Sequence, residues 1–153
     1  MSENETLQLV TFELGSEMFA APLIRIQEII RYTDIIKVPQ APDFIEGIIN
    51  LRGRVIAVID LKKRFGMPGG EHESRSRIIV AEIAGVRVGL AVDAVARVLR
   101  VSSKQFERTP AIVSGVQQKF VAGVVKEKGG MIIVLDLDKI FTPEETEMLR
   151  SVE

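Results

Sequence analysis

With 153 residues, 46% of them apolar, and a formal net charge of -1, the chain can bury an ordinary domain-sized core, and it has no bulk charge to draw it to nucleic acid or an anionic membrane. The absence of cysteine excludes a disulfide framework, a thiolate nucleophile and a zinc-thiolate centre. No window approaches the roughly 18 uninterrupted apolar residues of a membrane span, and the acidic, polar start MSENETLQ lacks the features of a signal peptide, so a cytoplasmic location without direct membrane insertion is expected.

Ile and Val supply about a quarter of the residues while Trp is absent and Tyr occurs once, a composition that favours strands. Val10, Phe12 and Leu14 alternate with Thr11 and Glu13 as in a half-buried strand, and Gly15-Ser16 turns this into a second strand at Met18 to Ala21. Pro22 ends it. Ile24, Ile26 and Ile29 fit one helical turn followed by a strand, and Pro39 and Pro42 punctuate a loop. Gly47 to Leu51 and Val55 to Ile59 are short, β-branched apolar runs about the turn Arg52-Gly53-Arg54, which predicts a hairpin. Asp60 then caps a short helix, Leu61 to Phe65, ended by Gly66. A loop at 68 to 74 precedes strands at Arg77 and at Val86 to Val92, and Ser102 to Lys119 reads as a long polar linker with a helical turn. Thr142-Pro143-Glu144-Glu145 is a capping-box start for a terminal helix over 142 to 151.

The chain also contains itself twice. FIEGIINLRGRVIAVIDLKKRF, Phe44 to Phe65, returns 76 positions later as FVAGVVKEKGGMIIVLDLDKIF, Phe120 to Phe141, with nine of the twenty-two positions identical. Upstream the echo continues at an offset of 69: VTFEL at 10 to 14 precedes IVAEI at 79 to 83, and Phe19 to Arg31 precedes Val88 to Arg100. The repeat units are therefore about 7 to 67 and 77 to 141. Shared positions serve the fold, so Asp60 and Asp136 read as caps rather than as a catalytic pair. Function should lie where the copies differ. The first copy has five cations, Arg52, Arg54, Lys62, Lys63 and Arg64, in a short segment, which suits an acidic partner surface, and Glu28 in one unit stands where the other has Arg97.

Catalytic apparatus is not visible. His72, the only histidine, sits among acidic neighbours in the loop and reads as solvated; no serine lies in a nucleophile elbow, and no metal spacing or phosphate loop occurs. Neither a metal nor another cofactor is expected.

With FxxGxxNLRG, the VIDLKKRF run, FAAPLIRIQEII and GLAVDAVARVL together, the sequence resembles the CheW family of chemotaxis adaptors over essentially its full length. The resemblance implies an all-β protein of two intertwined, pseudo-symmetric five-stranded barrels of SH3-like or OB-like topology, with strand exchange, a groove between them, short helices and a C-terminal helix. It implies a non-enzymatic adaptor whose partners are the histidine kinase CheA and the chemoreceptor cytoplasmic domain, with contacts between copies in arrays. Gly47, Asn50, Arg52, Gly53 and Arg54 are expected to meet the kinase: Arg52 offers a forked donor, and Gly47 allows a close approach. The resemblance carries receptor contact onto Ile26, Glu28 and Val98. Ala57 stands where the family often has Pro. The competing class is a small β-barrel binding a ligand or single-stranded nucleic acid, which would want basic and aromatic residues on one face.

Overall fold

The period-two segments become strands in the computed structural model, which describes residues 6–108, 112, 113 and 116–152. In chain order these are β1 (Thr6–Leu14), β2 (Glu17–Pro22), β3 (Ile26–Arg31), β4 (Ile45–Leu51), β5 (Arg54–Asp60), the short helix α1 (Leu61–Arg64), β6 (Arg77–Ile83), β7 (Val86–Val92), β8 (Ala94–Ser102), β9 (Phe106–Glu107), β10 (Ile112–Val113), β11 (Val116–Gln117), β12 (Val121–Glu127), β13 (Gly130–Leu135) and the terminal helix α2 (Pro143–Arg150). The helical turn expected near Ile24 is a 3-10 turn, Leu23–Arg25, directly before β3.

One sheet runs β8-β1-β2-β13-β12-β9 and the other β3-β6-β7-β5-β4; β10 and β11 pair separately. The repeat aligns β1 to β5 with β6, β7, β8, β12 and β13, so each sheet has the same order of corresponding strands. Within each sheet the first hairpin of one unit is joined to the second hairpin of the other. A parallel pair makes each joint, β2 with β13 through Ile133↔Phe19, and β5 with β7 through Ile59↔Leu90. The sixth strand of the first sheet is β9, two residues long.

Joined this way, the central strands are buried on both faces. Along β5, Ile56 and Val58 belong to one apolar cluster with Ile49, Ile78 and Val80, while Ala57 and Ile59 belong to a larger one. Along β13, Ile132 and Val134 join Leu9, Ala20 and Val125, while Ile133 and Leu135 join that same larger cluster. Each barrel thus has its own interior, and a shared core containing Phe12, Phe19, Leu90 and Ile133 fuses the two. This accounts for the unbroken Val/Ile runs of β5 and β13, which lack the polar alternation of a one-sided strand.

The caps form as read. Asp60 Oδ1 accepts from the Lys63 N–H at 3.2 Å, and Asp136 Oδ1 from the Asp138 N–H at 3.1 Å. The second bond reaches two residues ahead rather than three, and the segment it caps is a 3-10 turn, Leu137–Lys139. The linker over 102 to 119 is more structured than a loop. Phe106 packs with the Val125 cluster and Glu107 pairs with Val124, although positions 109–111 and 114–115 lie outside the described residues. Gly123 makes this crossing feasible, because a Cβ there would lie 2.6 Å from the Glu107 carbonyl oxygen and collide with the Phe106 ring. Gly47 does the same in the other unit, where a Cβ would strike the Ile36 carbonyl oxygen. Both glycines sit at register shifts in their hairpins.

The terminal helix is fastened by Arg64. Its guanidinium donates to both carboxylate oxygens of Glu145 at 2.7 and 2.8 Å and to the Ile140 carbonyl at 2.8 Å, and it lies 4.6 Å from the Phe44 ring centroid. Glu145 also completes the capping box with Thr142. Burial would raise the Glu145 carboxyl, but the Thr142 N–H and the Arg64 guanidinium hold it below its ordinary value of 4.5.

Two outcomes are expected. Gly123→Ala should destabilise by about 1 to 3 kcal/mol, read as a fall in Tm of roughly 2 to 4 °C per kcal/mol; an unchanged Tm would show that the linker crossing yields freely. Glu145 is more acidic folded than unfolded, so its contribution is present above the ordinary carboxylate value and lost as pH falls through the folded one. Glu145→Gln should therefore cost roughly 1 to 3 kcal/mol at pH 7, with a gap that closes below about pH 4.5 in denaturant titrations. A gap that persisted in acid would assign the loss to packing.

Candidate functional site

At the tip of the β4–β5 hairpin, Arg52 (φ 52) and Gly53 (φ 83) both take left-handed backbone, the two-residue turn whose twist matches that of the strands. Asn50 supports it from within, its Oδ1 accepting from the Gly53 N–H at 2.8 Å. The Arg52 side chain, 70% exposed, reaches over to the edge strand β3, where its Nη2 donates to Glu28 Oε2 at 2.5 Å. That hydrogen bond, reinforced by the carboxylate charge, raises the Arg52 guanidinium further above its already high value. The other Glu28 oxygen, Oε1, is buried and has no hydrogen-bond partner.

The two expected contact sets therefore touch. Arg52, expected to face the kinase, and Glu28, expected to face the receptor, hold each other, and Ile26 lies two residues along β3, half-buried against the shared core. Val98 stands apart on β8 in the other sheet, 54% exposed. Through the repeat it corresponds to Ile29, itself 40% exposed, so the matched surface pair of aliphatics is Ile29 and Val98 rather than Ile26 and Val98. Gly47 lies under Ile36 of its own chain, and its missing side chain is explained by that crossing.

The second unit repeats the ion pair with its signs exchanged. Arg97 of β8 corresponds to Glu28, and its Nη2 donates to Glu127 Oε1, at the end of β12, at 2.6 Å. β3 and β4 are the two edges of one sheet, and β8 and β12 bracket five of the six strands of the other. Each ion pair thus ties an edge strand to the hairpin across from it, closing the seam of its barrel. The repeat displays the exchange of Glu28 for Arg97, but the partners do not align with each other. Arg52 matches Lys128, whereas Glu127 matches Leu51.

The basic segment of the first copy is largely neutralised, contrary to its reading as an acidic-partner patch. Lys62 pairs with Asp93 at 2.8 Å, Lys63 with Glu46 at 3.8 Å, Arg64 with Glu145 and Arg52 with Glu28. Arg54 alone of the five makes no ion pair among the described residues, and with Gly53, Val55, Ile56, Glu82, Gly85 and Arg87 it lines a shallow cavity of about 480 Å³. His72 also departs from expectation. Its side chain is 16% exposed, because the ring stacks on Tyr32 at 3.8 Å. That contact links residues forty apart, and the polar sequence around His72 gives no sign of it. Among the described residues no helix is long and apolar enough to cross a membrane.

The arrangement brings together a preformed turn, an exposed guanidinium, the Glu28 carboxylate that holds it and edge-strand aliphatics. Residues 8–145 match the CheW-like domain family. The chain is 38% identical over 140 residues to the chemotaxis protein CheW of Rhizobium meliloti (strain 1021), covering 92% of this chain and 90% of that protein. It is 32% identical over 153 residues to the chemotaxis protein CheW of Treponema pallidum (strain Nichols), covering 97% and 90%. Among solved structures, the crystal structure of the scaffolding protein TtCheW from Thermoanaerobacter tengcongensis is similar with a TM-score of 0.87 at 39% identity, over 95% of this chain and 99% of that one.

Proposed function

This chain belongs to the CheW-like domain family of chemotaxis scaffolds, and we propose that it is a non-enzymatic cytoplasmic adaptor that couples the cytoplasmic tips of chemoreceptors to the histidine kinase CheA. One observation carries the reading beyond family membership. The hairpin tip and the β3 edge, two segments in which the repeat copies diverge, meet through Arg52 and Glu28. Kinase and receptor then meet at this contact, with Val98 reaching the receptor from the other sheet, and a shift of either is felt by the other. Asn50, Arg52, Gly53 and Arg54 form the kinase contact, with Gly47 setting the hairpin's base beneath them. Ile26, Glu28 and Val98 take the receptor, a long helical hairpin that wants apolar anchors flanked by register-fixing charges. Glu28 supports this role by its place on the edge strand, where its partly exposed carboxylate is held by Arg52 and a receptor cation would compete for it.

Arg52→Ala should weaken CheA binding about tenfold or more, as the loss of a charged hydrogen bond does, while Tm stays near wild type because exposed ion pairs contribute little to stability. Unchanged kinase affinity in the folded variant would return Arg52 to a seam-closing role alone. Glu28→Lys should impair receptor coupling with CheA binding retained, measured by co-sedimentation with a receptor signalling domain and by kinase rate. The double variant Glu28→Arg, Arg52→Glu rebuilds the pair in the polarity of the second barrel. Full recovery of coupling in that variant would show that the pair serves the fold and not the partners.

A further inference from the structure

We infer that Glu46, Asp60 and His72 form a binding site for a divalent cation of the zinc class. The three side chains come from separate places: Glu46 from β4, Asp60 from the end of β5 and His72 from the segment between α1 and β6. Each offers one ligand atom, and the three atoms lie within 4.8 Å of one another. The cluster is interior. Asp60 is 4% exposed, and the Glu46 and His72 side chains are 18% and 16% exposed.

The His72 ring is also short of partners where it is buried. His72 Nδ1 is buried and has no hydrogen-bond partner, while Nε2 stands 3.9 Å from Glu46 Oε1, beyond hydrogen-bond distance. A buried imidazole nitrogen without a partner is costly unless something else meets it. The charges agree. Two carboxylates share the enclosure, and Lys63 reaches Glu46 only at 3.8 Å from a half-exposed side chain.

Tyr32 supplies the outer support that metal ligands usually have. Its ring stacks on that of His72 with centroids 3.8 Å apart, and its hydroxyl donates to Glu46 Oε1 at 3.4 Å. Asp60 is fixed by the Lys63 N–H on Oδ1, which leaves its second oxygen for a ligand. One imidazole and two carboxylates with a fourth position open is a donor set of the zinc class. Bonds of about 2.0 to 2.2 Å put tetrahedral ligand atoms about 3.4 Å apart, so from separations of up to 4.8 Å the cluster must close by up to about 1.4 Å on loading. His72 lies outside any helix or strand and can supply that movement. A bound ion would pin the segment joining the two repeat units to the base of the β4–β5 hairpin.

The test uses the full chain stripped with chelator, then titrated with zinc chloride and separately with cobalt chloride. Zinc should raise Tm by several degrees at about a hundredfold excess over its Kd, and cobalt should give visible d–d absorption. His72→Gln should abolish both responses and Glu46→Gln should lower zinc affinity at least tenfold, while Glu71→Gln, one residue away and exposed, keeps them. Wild type showing neither response would overturn the inference. So would a response retained in His72→Gln, which would place the ion elsewhere on the chain; the metal-free Tm of each variant confirms that it is folded.

Discussion

Two parallel strand contacts, β2 against β13 and β5 against β7, hold this molecule together. Each joins the first hairpin of one repeat unit to the second hairpin of the other, so neither sheet is made from one unit. The central strands consequently have no solvent face. Ala57 and Ile59 enter the shared core while Ile56 and Val58 fill the barrel interior, and the same division recurs at Ile133, Leu135, Ile132 and Val134. Burial on two faces explains a strand composition of Val, Ile and Ala.

Against that symmetric background the copies differ in side chains at the periphery. Arg64 replaces what is Ile140 in the other copy, and with it the first unit gains a guanidinium among Phe44, Phe120 and Phe141 that fastens α2. The seam pairs Glu28–Arg52 and Arg97–Glu127 keep a common mechanical role while reversing the field at the surface. A duplicated scaffold can in this way present two unlike faces without altering its core, because edge strands and hairpin tips carry little of the apolar burial.

Local rules made most of the fold legible in the sequence. Alternation at Val10, Phe12 and Leu14 marked β1, the Arg52-Gly53 pair marked a tight hairpin, and Asp60, Asp136 and Thr142 capped what they were expected to cap, since such bonds span two or three residues. β9 escaped notice because a two-residue strand has no period. Of the candidate site, the residues could be named from the sequence but their contacts with one another could not. Glu28 and Arg52 were both singled out, but their contact crosses a barrel seam that only the closed sheet creates. The cations of α1 looked free for the same reason, their partners Asp93 and Glu145 being distant in sequence. Gly47 was read as room for a partner, whereas its room is taken by Ile36.

The reciprocal exchange of hairpins also governs when the molecule can come into being. During synthesis β4 and β5 leave the ribosome with one long edge of β5 unpaired, and the strand that covers it, β7, follows only after the intervening segment and β6. β2 waits longer still, because Phe19 finds Ile133 near the opposite end of the described chain. Contacts of such separation make folding slow and leave apolar strand edges open meanwhile. A nascent half-chain of this topology therefore carries open strand edges, and two copies made close together hold the same hairpins to exchange, at a disadvantage set by the effective concentration within one chain.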